Sequence, residues 1–168
     1  MIAYLIISVF PAALLVAAAN DIYEFKIPNW LSIILVCTYP ICGLAVGAAP
    51  SIVFEGLLVG GAALVVGFAL FAGRIVGGGD AKLLAAISPW IGLNAMGLFL
   101  FYTALGGLFL AMAVSLFRKL PMLPVYARAP WLMEFHSRGR DLPYAVALAT
   151  GGLVTFSQTP FFQLVFGS

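Results

Sequence analysis

Residues 83–117 read LLAAISPWIGLNAMGLFLFYTALGGLFLAMAVSLF, 35 positions without an Asp, Glu, Lys or Arg. About 20 apolar residues of helix cross a bilayer. The stretch is too long for one comfortable crossing and somewhat short for two. Gly92 and Asn94 suit a turn, and a split there predicts a short helix at about 81–93 and a full one at about 95–117. Four more stretches are free of charge: 1–20, 27–54, 56–73 and 142–168. They supply spans at 1–20, 30–49, 56–73 and 143–166, which makes six.

The basic residues arbitrate the split, because Lys and Arg collect in cytoplasmic loops. With six spans, Lys26 falls in the first loop and Arg74 and Lys82 in the third. Arg118, Lys119, Arg128, Arg138 and Arg140 fall in the fifth. Those eight are every Lys and Arg in the chain, and the second and fourth loops have none. One topology satisfies this: loops one, three and five in the cytoplasm, both termini outside it. A single helix over 83–117 would send the last five positive charges to the opposite side. The expected fold is an all-α polytopic membrane protein, one membrane-embedded domain over 1–168 with a cytoplasmic loop at 118–142.

Composition agrees. Hydrophobic residues make up 64% of the 168 and charged ones 8%, with a mean hydropathy of +1.14. A soluble domain is about half apolar and about a quarter charged, and a fold this short could not hide so much apolar surface. A soluble globule, a disordered chain and a nucleic-acid-binding module are excluded, and the net charge of +2 is too scattered for a polybasic patch. Residues 1–20 have no basic n-region ahead of Ala17-Ala18-Ala19, so they read as an uncleaved span rather than a signal peptide. Cys37 and Cys42 form no CxxC pair and read as small buried apolar residues. Gly43 with Gly47, and Gly56 with Gly60, are spaced for close helix approach. In the last loop, prolines at 121, 124 and 130 break any helix, and the segment around Trp131-Leu132-Met133 suits the membrane surface.

Asp141, in the arginine-bearing last loop, reads as a solvated partner of Arg138 or Arg140. Asp21 and Asp80 differ: one follows the first span, the other precedes the fourth, and the topology brings both to the cytoplasmic face. Ionisable groups at a membrane boundary are either interface markers or functional. Asp80 ends the run Gly77-Gly78-Gly79-Asp80, which is either a flexible loop closed by an N-cap Asp or a GxGD element. Asp21 opens Asp21-Ile22-Tyr23-Glu24-Phe25-Lys26-Ile27-Pro28-Asn29.

Together these residues resemble the type IV prepilin peptidases, membrane-embedded aspartic proteases, and among them the short members that serve tight-adherence (Flp) pili. That family carries an Asp after its first catalytic-domain helix and then a basic-Ile-Pro-Asn element, which Lys26-Ile27-Pro28-Asn29 fits. Its second Asp lies in GxGD with a Lys two residues on, which Asp80 and Lys82 fit. Its Pro-aromatic-Gly element reads Pro143-Tyr144-Ala145 here, with Ala145 in place of glycine. The resemblance implies an aspartic endopeptidase of the inner membrane. Its site would face the cytoplasm and remove the basic leader from pilin or pseudopilin precursors. Asp21 and Asp80 are then catalytic. Gly77, Gly79, Lys82, Glu24, Lys26, Pro28 and Asn29 support the site or the substrate. No metal, cofactor or nucleic acid is implied. The cytoplasmic insert with two CxxC pairs found in larger members is absent, and nothing in the sequence carries the methylation those members often perform. A homo-oligomer is compatible with the sequence.

Two neighbouring carboxylates can share a proton, so that one activates water while the other protonates the carbonyl oxygen. Helix dipoles favour an anion at a helix N-terminus, which assigns the base to Asp80 and the proton to Asp21. Glu24 and Glu134 could meet a basic leader. Lys26 and Lys82 either snorkel to the interface or orient substrate. The bare backbone of Gly77–Gly79 suits an extended substrate, so alanine at Gly79 is expected to cut cleavage. Two other classes compete: a proton-coupled transporter using Asp21 and Asp80, and a non-catalytic pilus assembly subunit. A transporter favours ionisable groups near the bilayer midplane, whereas these lie at one edge.

Overall fold

The structure is a computed structural model that describes residues 2–120, 133, 135, 136 and 142–167. The described elements are helical: α1 (Ile2–Glu24), α2 (Asn29–Ala45), α3 (Pro50–Ala72), α4 (Gly78–Lys119), α5 (Tyr144–Val154) and α6 (Pro160–Phe166), with a 3₁₀ turn at Phe156–Gln158 before α6. Proline marks several starts. Pro28 holds extended backbone just ahead of α2, and Pro50 and Pro160 open α3 and α6, where the missing N–H costs nothing. Left-handed residues close three helices: Phe25 (φ 52) after α1, Gly47 (φ 79) after α2 and Arg74 (φ 58) after α3. Beyond the last two, Ala48 N–H reaches back to Gly43 and Ile75 N–H to Leu70, tying off free carbonyls.

Gly92, with φ 71 and ψ 168, interrupts α4, and the packing on each side gives its direction. Before Gly92, α4 is antiparallel to α3: Ala81 lies against Gly67, and Pro89 against Gly60 and Gly56. After it, α4 is antiparallel to α5: Phe99 and Thr103 lie against Gly151, and Tyr144 against Gly107. Both ends of α4 return to the end of α1, because Gly79 touches Ile27 while Phe25 and Phe117 both pack on Phe135, ring centroids 5.4 and 5.9 Å away. So α4 is a hairpin with arms 78–91 and 93–119. Pro89 prepares the bend by removing one helical N–H. The break lies two residues before the expected one at Asn94.

Helices, hairpin arms and turns alternate in direction around Trp90. Its ring stacks on Phe10 (5.3 Å) and meets Tyr39 and Phe161 edge-on (5.6 and 5.8 Å). Its indole N–H donates to the Leu35 carbonyl at 2.9 Å, so a large aromatic is buried with its one polar atom satisfied. Phe10, Leu14 and Ala17 of α1 are fully buried. The first helix is thus part of the core.

Several expectations need correction. α1 runs on to Glu24 and takes Asp21 into its last turn. The expected span 143–166 is divided: the Thr155 hydroxyl donates back to Gly151 at 2.7 Å, and Thr159, extended before Pro160, caps α6 through its hydroxyl. α5, at 11 residues, rises only about 16 Å. Among the described residues, three helices are long and apolar enough to cross a membrane, at Ile7–Glu24, Pro50–Ala72 and Gly78–Lys119, while α2 and α5 are shorter apolar helices. Gly47 serves a turn rather than packing, with open space around it, whereas Gly43, Gly56 and Gly60 admit Phe161, Tyr39 and Pro89. Cys42 is buried as expected, but Cys37 is exposed. Most of the 118–142 loop, including the three prolines, the Trp131-Leu132 segment, Glu134 and the Asp141 pairing, lies outside the described residues.

Candidate active site

A cavity of about 1230 Å³ opens at the end of the bundle where α1 stops and α4 begins. Asp21 reaches it from the last turn of α1. The residue is 5% exposed, and one carboxylate oxygen accepts the backbone N–H of Ala145 at 2.8 Å. That N–H is free because Ala145 lies in the first turn of α5, where no preceding carbonyl can accept it.

Asp80 reaches the cavity from the first turn of α4. The N-cap is Gly77, not Asp80, and Asp80 is the third helical residue. Its carboxylate folds over Gly77: a Cβ there would stand 2.8 Å from Oδ2. Fifty-nine residues separate the two aspartates in sequence, yet they share the cavity and their charges interact. Tyr144 lies within electrostatic range of Asp80.

The remaining expected residues converge there too. Glu24, Lys26, Pro28, Asn29, Gly77, Gly79 and Lys82 all line the cavity. Lys82 donates from Nζ to Asn29 Oδ1 at 3.2 Å, which joins the Lys26–Asn29 element to the Gly77–Asp80 element across 53 residues. Ile27, between them, packs on Gly79. Within the glycine run, Gly78 and Gly79 are helical and have Phe71 and Ile27 against them, while a Cβ on exposed Gly77 would meet the Asp80 carboxylate.

Other contributors were not singled out from the sequence. Phe71, Arg74, Ile75 and Val76 line the cavity from the end of α3 and the turn after it, and Leu142 and Tyr144 from the approach to α5. Tyr144 and Ala145 belong to the Pro143-Tyr144-Ala145 element, but the Ala145 contribution is a backbone N–H and has no side-chain signature. That bond also alters the division of roles. Asp21 faces a helix N-terminus of its own, so helix ends no longer distinguish it from Asp80. Among the described residues no group of three His, Cys, Asp or Glu side chains converges.

The arrangement can hold water between two acids, offer a polar floor for a peptide bond, and bind charged chain through Glu24, Lys26, Arg74 and Lys82. A family model described as the type IV leader peptidase family matches residues 8–112. The match contains both aspartates and every cavity residue except Leu142 and Tyr144. No curated protein and no solved structure gives a significant match to the chain.

Proposed function

Because the chain belongs to the type IV leader peptidase family, we propose that the cavity at the foot of α1 and α4 is the active site of an aspartic endopeptidase, with Asp21 and Asp80 as its catalytic pair. Membership carries a prepilin-type peptidase role, a membrane location and a pilin precursor as the general substrate. The aspartic mechanism, the two acids and the bond cut are our reading. The single observation that carries it is the shared cavity of two acids distant in sequence, together with the nearby Lys26–Asn29 element and Lys82.

Two carboxylates whose charges interact in one cavity do not readily ionise together, and a shared proton lets them divide the work. The ionised member takes a proton from a water held between them, and the water oxygen attacks the scissile carbonyl carbon. The protonated member gives its proton to the carbonyl oxygen. As the tetrahedral intermediate collapses, the C–N bond breaks, the amine leaves with the proton first taken from water, and a hydroxyl of the intermediate returns its proton to the other carboxylate, which restores the shared proton. The Ala145 N–H orients the Asp21 carboxylate throughout. The pair titrates as a unit, and helix ends do not assign which acid begins as the base.

The topology we infer has six crossings, both termini outside the cytoplasm and the cavity on the cytoplasmic side of the inner membrane. Supporting it, every described Lys and Arg (Lys26, Arg74, Lys82, Arg118 and Lys119) lies at the cavity end of the bundle, and such residues favour the cytoplasm. Glu55 lies toward the opposite end, beside Gly92 and Asn94. A basic leader followed by an apolar helix would then present the bond between them at the cavity. Lys26 and Lys82 would orient the chain, and Glu24 would meet the leader's charge.

The test is cleavage of a precursor by Asp21→Asn and Asp80→Asn variants in membranes. Each is expected to lose about 10²–10⁴-fold in rate, the usual worth of a general acid or base, with insertion unchanged. Full activity in either variant removes the dyad. The same outcome would favour a transporter or an assembly subunit.

A further inference from the structure

A second cavity, of about 620 Å³, lies between α2 and α3 and is floored by the first arm of α4. The two helices meet at the end far from the aspartates, where the Tyr39 hydroxyl donates to the Ile52 carbonyl at 3.3 Å and Gly43 lies against Val53. Toward the active site a slot stands between them. α2 turns Asn29, Ile33, Val36 and Cys37 into it; α3 turns Leu57, Gly61 and Leu64; α4 turns Lys82, Ala85 and Pro89. Each set follows the three-and-four spacing of a single helix face.

We propose that this slot receives the apolar helix of the precursor, so that the first turns after the scissile bond are held between α2 and α3. The inference rests on the peptidase reading. Three helix faces directed at one gap form the seat of a fourth helix. The wall is thin where such a helix would come closest: a Cβ on Gly61 would meet no atom within 4 Å, and small residues let helices approach in a membrane. The slot is continuous with the active site, because Asn29 and Lys82 line both cavities. From Lys82 to Pro89 it extends about 10 Å, or two helical turns. A chain leaving the slot at the Lys82–Asn29 hydrogen bond is one helical turn or less from Asp80. The helix seat thereby sets where the chain unwinds, and so which bond lies over the acids.

Gly61→Phe fills the slot at a position with room for a side chain. Two synthetic probes in lipid nanodiscs separate the possible results. One carries a basic leader, the scissile bond and an apolar helix of about 20 residues. The other stops a few residues past the bond. Expected is a loss of roughly tenfold or more in kcat/KM, carried by KM, for the long probe, as for a steric misfit in an apolar pocket, with the short probe cut as by the wild type. Equal turnover of the long probe by variant and wild type overturns the proposal and leaves the slot to lipid. Equal losses on both probes also overturn it, because the effect then lies in the chemistry. If the wild type cuts neither probe, the peptidase reading fails first and the seat falls with it. A second measurement uses exposed Cys37 in an Asp80→Asn, Cys42→Ala protein. Disulfides to single cysteines walked along the long probe are expected within its first two turns, at helical spacing. Disulfides from a cysteine at lipid-facing Val65 (70% exposed) but none from Cys37 overturn the proposal.

Discussion

Gly77 and Gly79 stand two residues apart and meet different surroundings. A methyl group on Gly77 would press on the Asp80 carboxylate, 2.8 Å away, whereas one on Gly79 would rest at an ordinary 3.5 Å from Ile27. Gly77→Ala therefore turns the Asp80 carboxylate from its place, with an expected loss on the order of ten- to a hundred-fold in kcat, since misplacement by an ångström can cost about that much. Gly79→Ala keeps wild-type turnover and firms the first turn of α4 by roughly 0.5–1 kcal/mol, the helical advantage of alanine over glycine. Steady-state kinetics beside thermal unfolding in detergent check both. The opposite ranking would mean that substrate, not Asp80, occupies the space over the run. Sequence alone pointed to Gly79, because a row of three glycines says nothing about which is covered. It also marked Cys37 and Cys42 alike, although the face each turns to the bundle leaves one exposed and the other buried.

At the scale of the element, the hairpin of α4 depends on Gly92. Its φ of 71 with ψ of 168 belongs to a region that is essentially glycine's alone. A Cβ there would also come within 3.1 Å of Pro160. Gly92→Ala is expected to cost about 1–3 kcal/mol and to lower the unfolding midpoint of the purified protein while leaving the aspartates' own surroundings unaltered. An unchanged midpoint would mean that the arms are held by packing alone. The need for a break between 83 and 117 was legible from charge distribution, since a straight helix would have stranded five basic residues. The division of 143–166 was not legible from apolarity, because Thr155 and Pro160 act through hydrogen bonds and backbone angles that hydropathy does not register.

For the whole molecule, alternating direction puts the α3–α4 turn and the end of α4 beside the cavity, and the α2–α3 turn, the α4 bend and the 3₁₀ turn opposite. Single cysteines replacing Arg74 and Lys119, in a background without Cys37 and Cys42, are expected to react with an impermeant thiol reagent only from the cytoplasmic side. Those replacing Ala49, Asn94 and Gln158, all exposed, should react only from the other. Arg74 and Lys119 found on different sides would undo the hairpin crossing and the six-crossing topology with it.

By itself the sequence determined that the chain is helical and belongs in lipid, where its basic ends lie, and which nine residues gather at one end. Those features follow from hydropathy, charge and short motifs, which act over neighbouring residues. Only the tertiary structure decided that Asp21 takes an N–H from α5, that the Asp80 carboxylate folds back over Gly77, and that α2 and α3 leave a slot leading to the acids. Each depends on which helix faces meet, and contacts between segments up to 124 residues apart leave no mark on the local pattern of either segment.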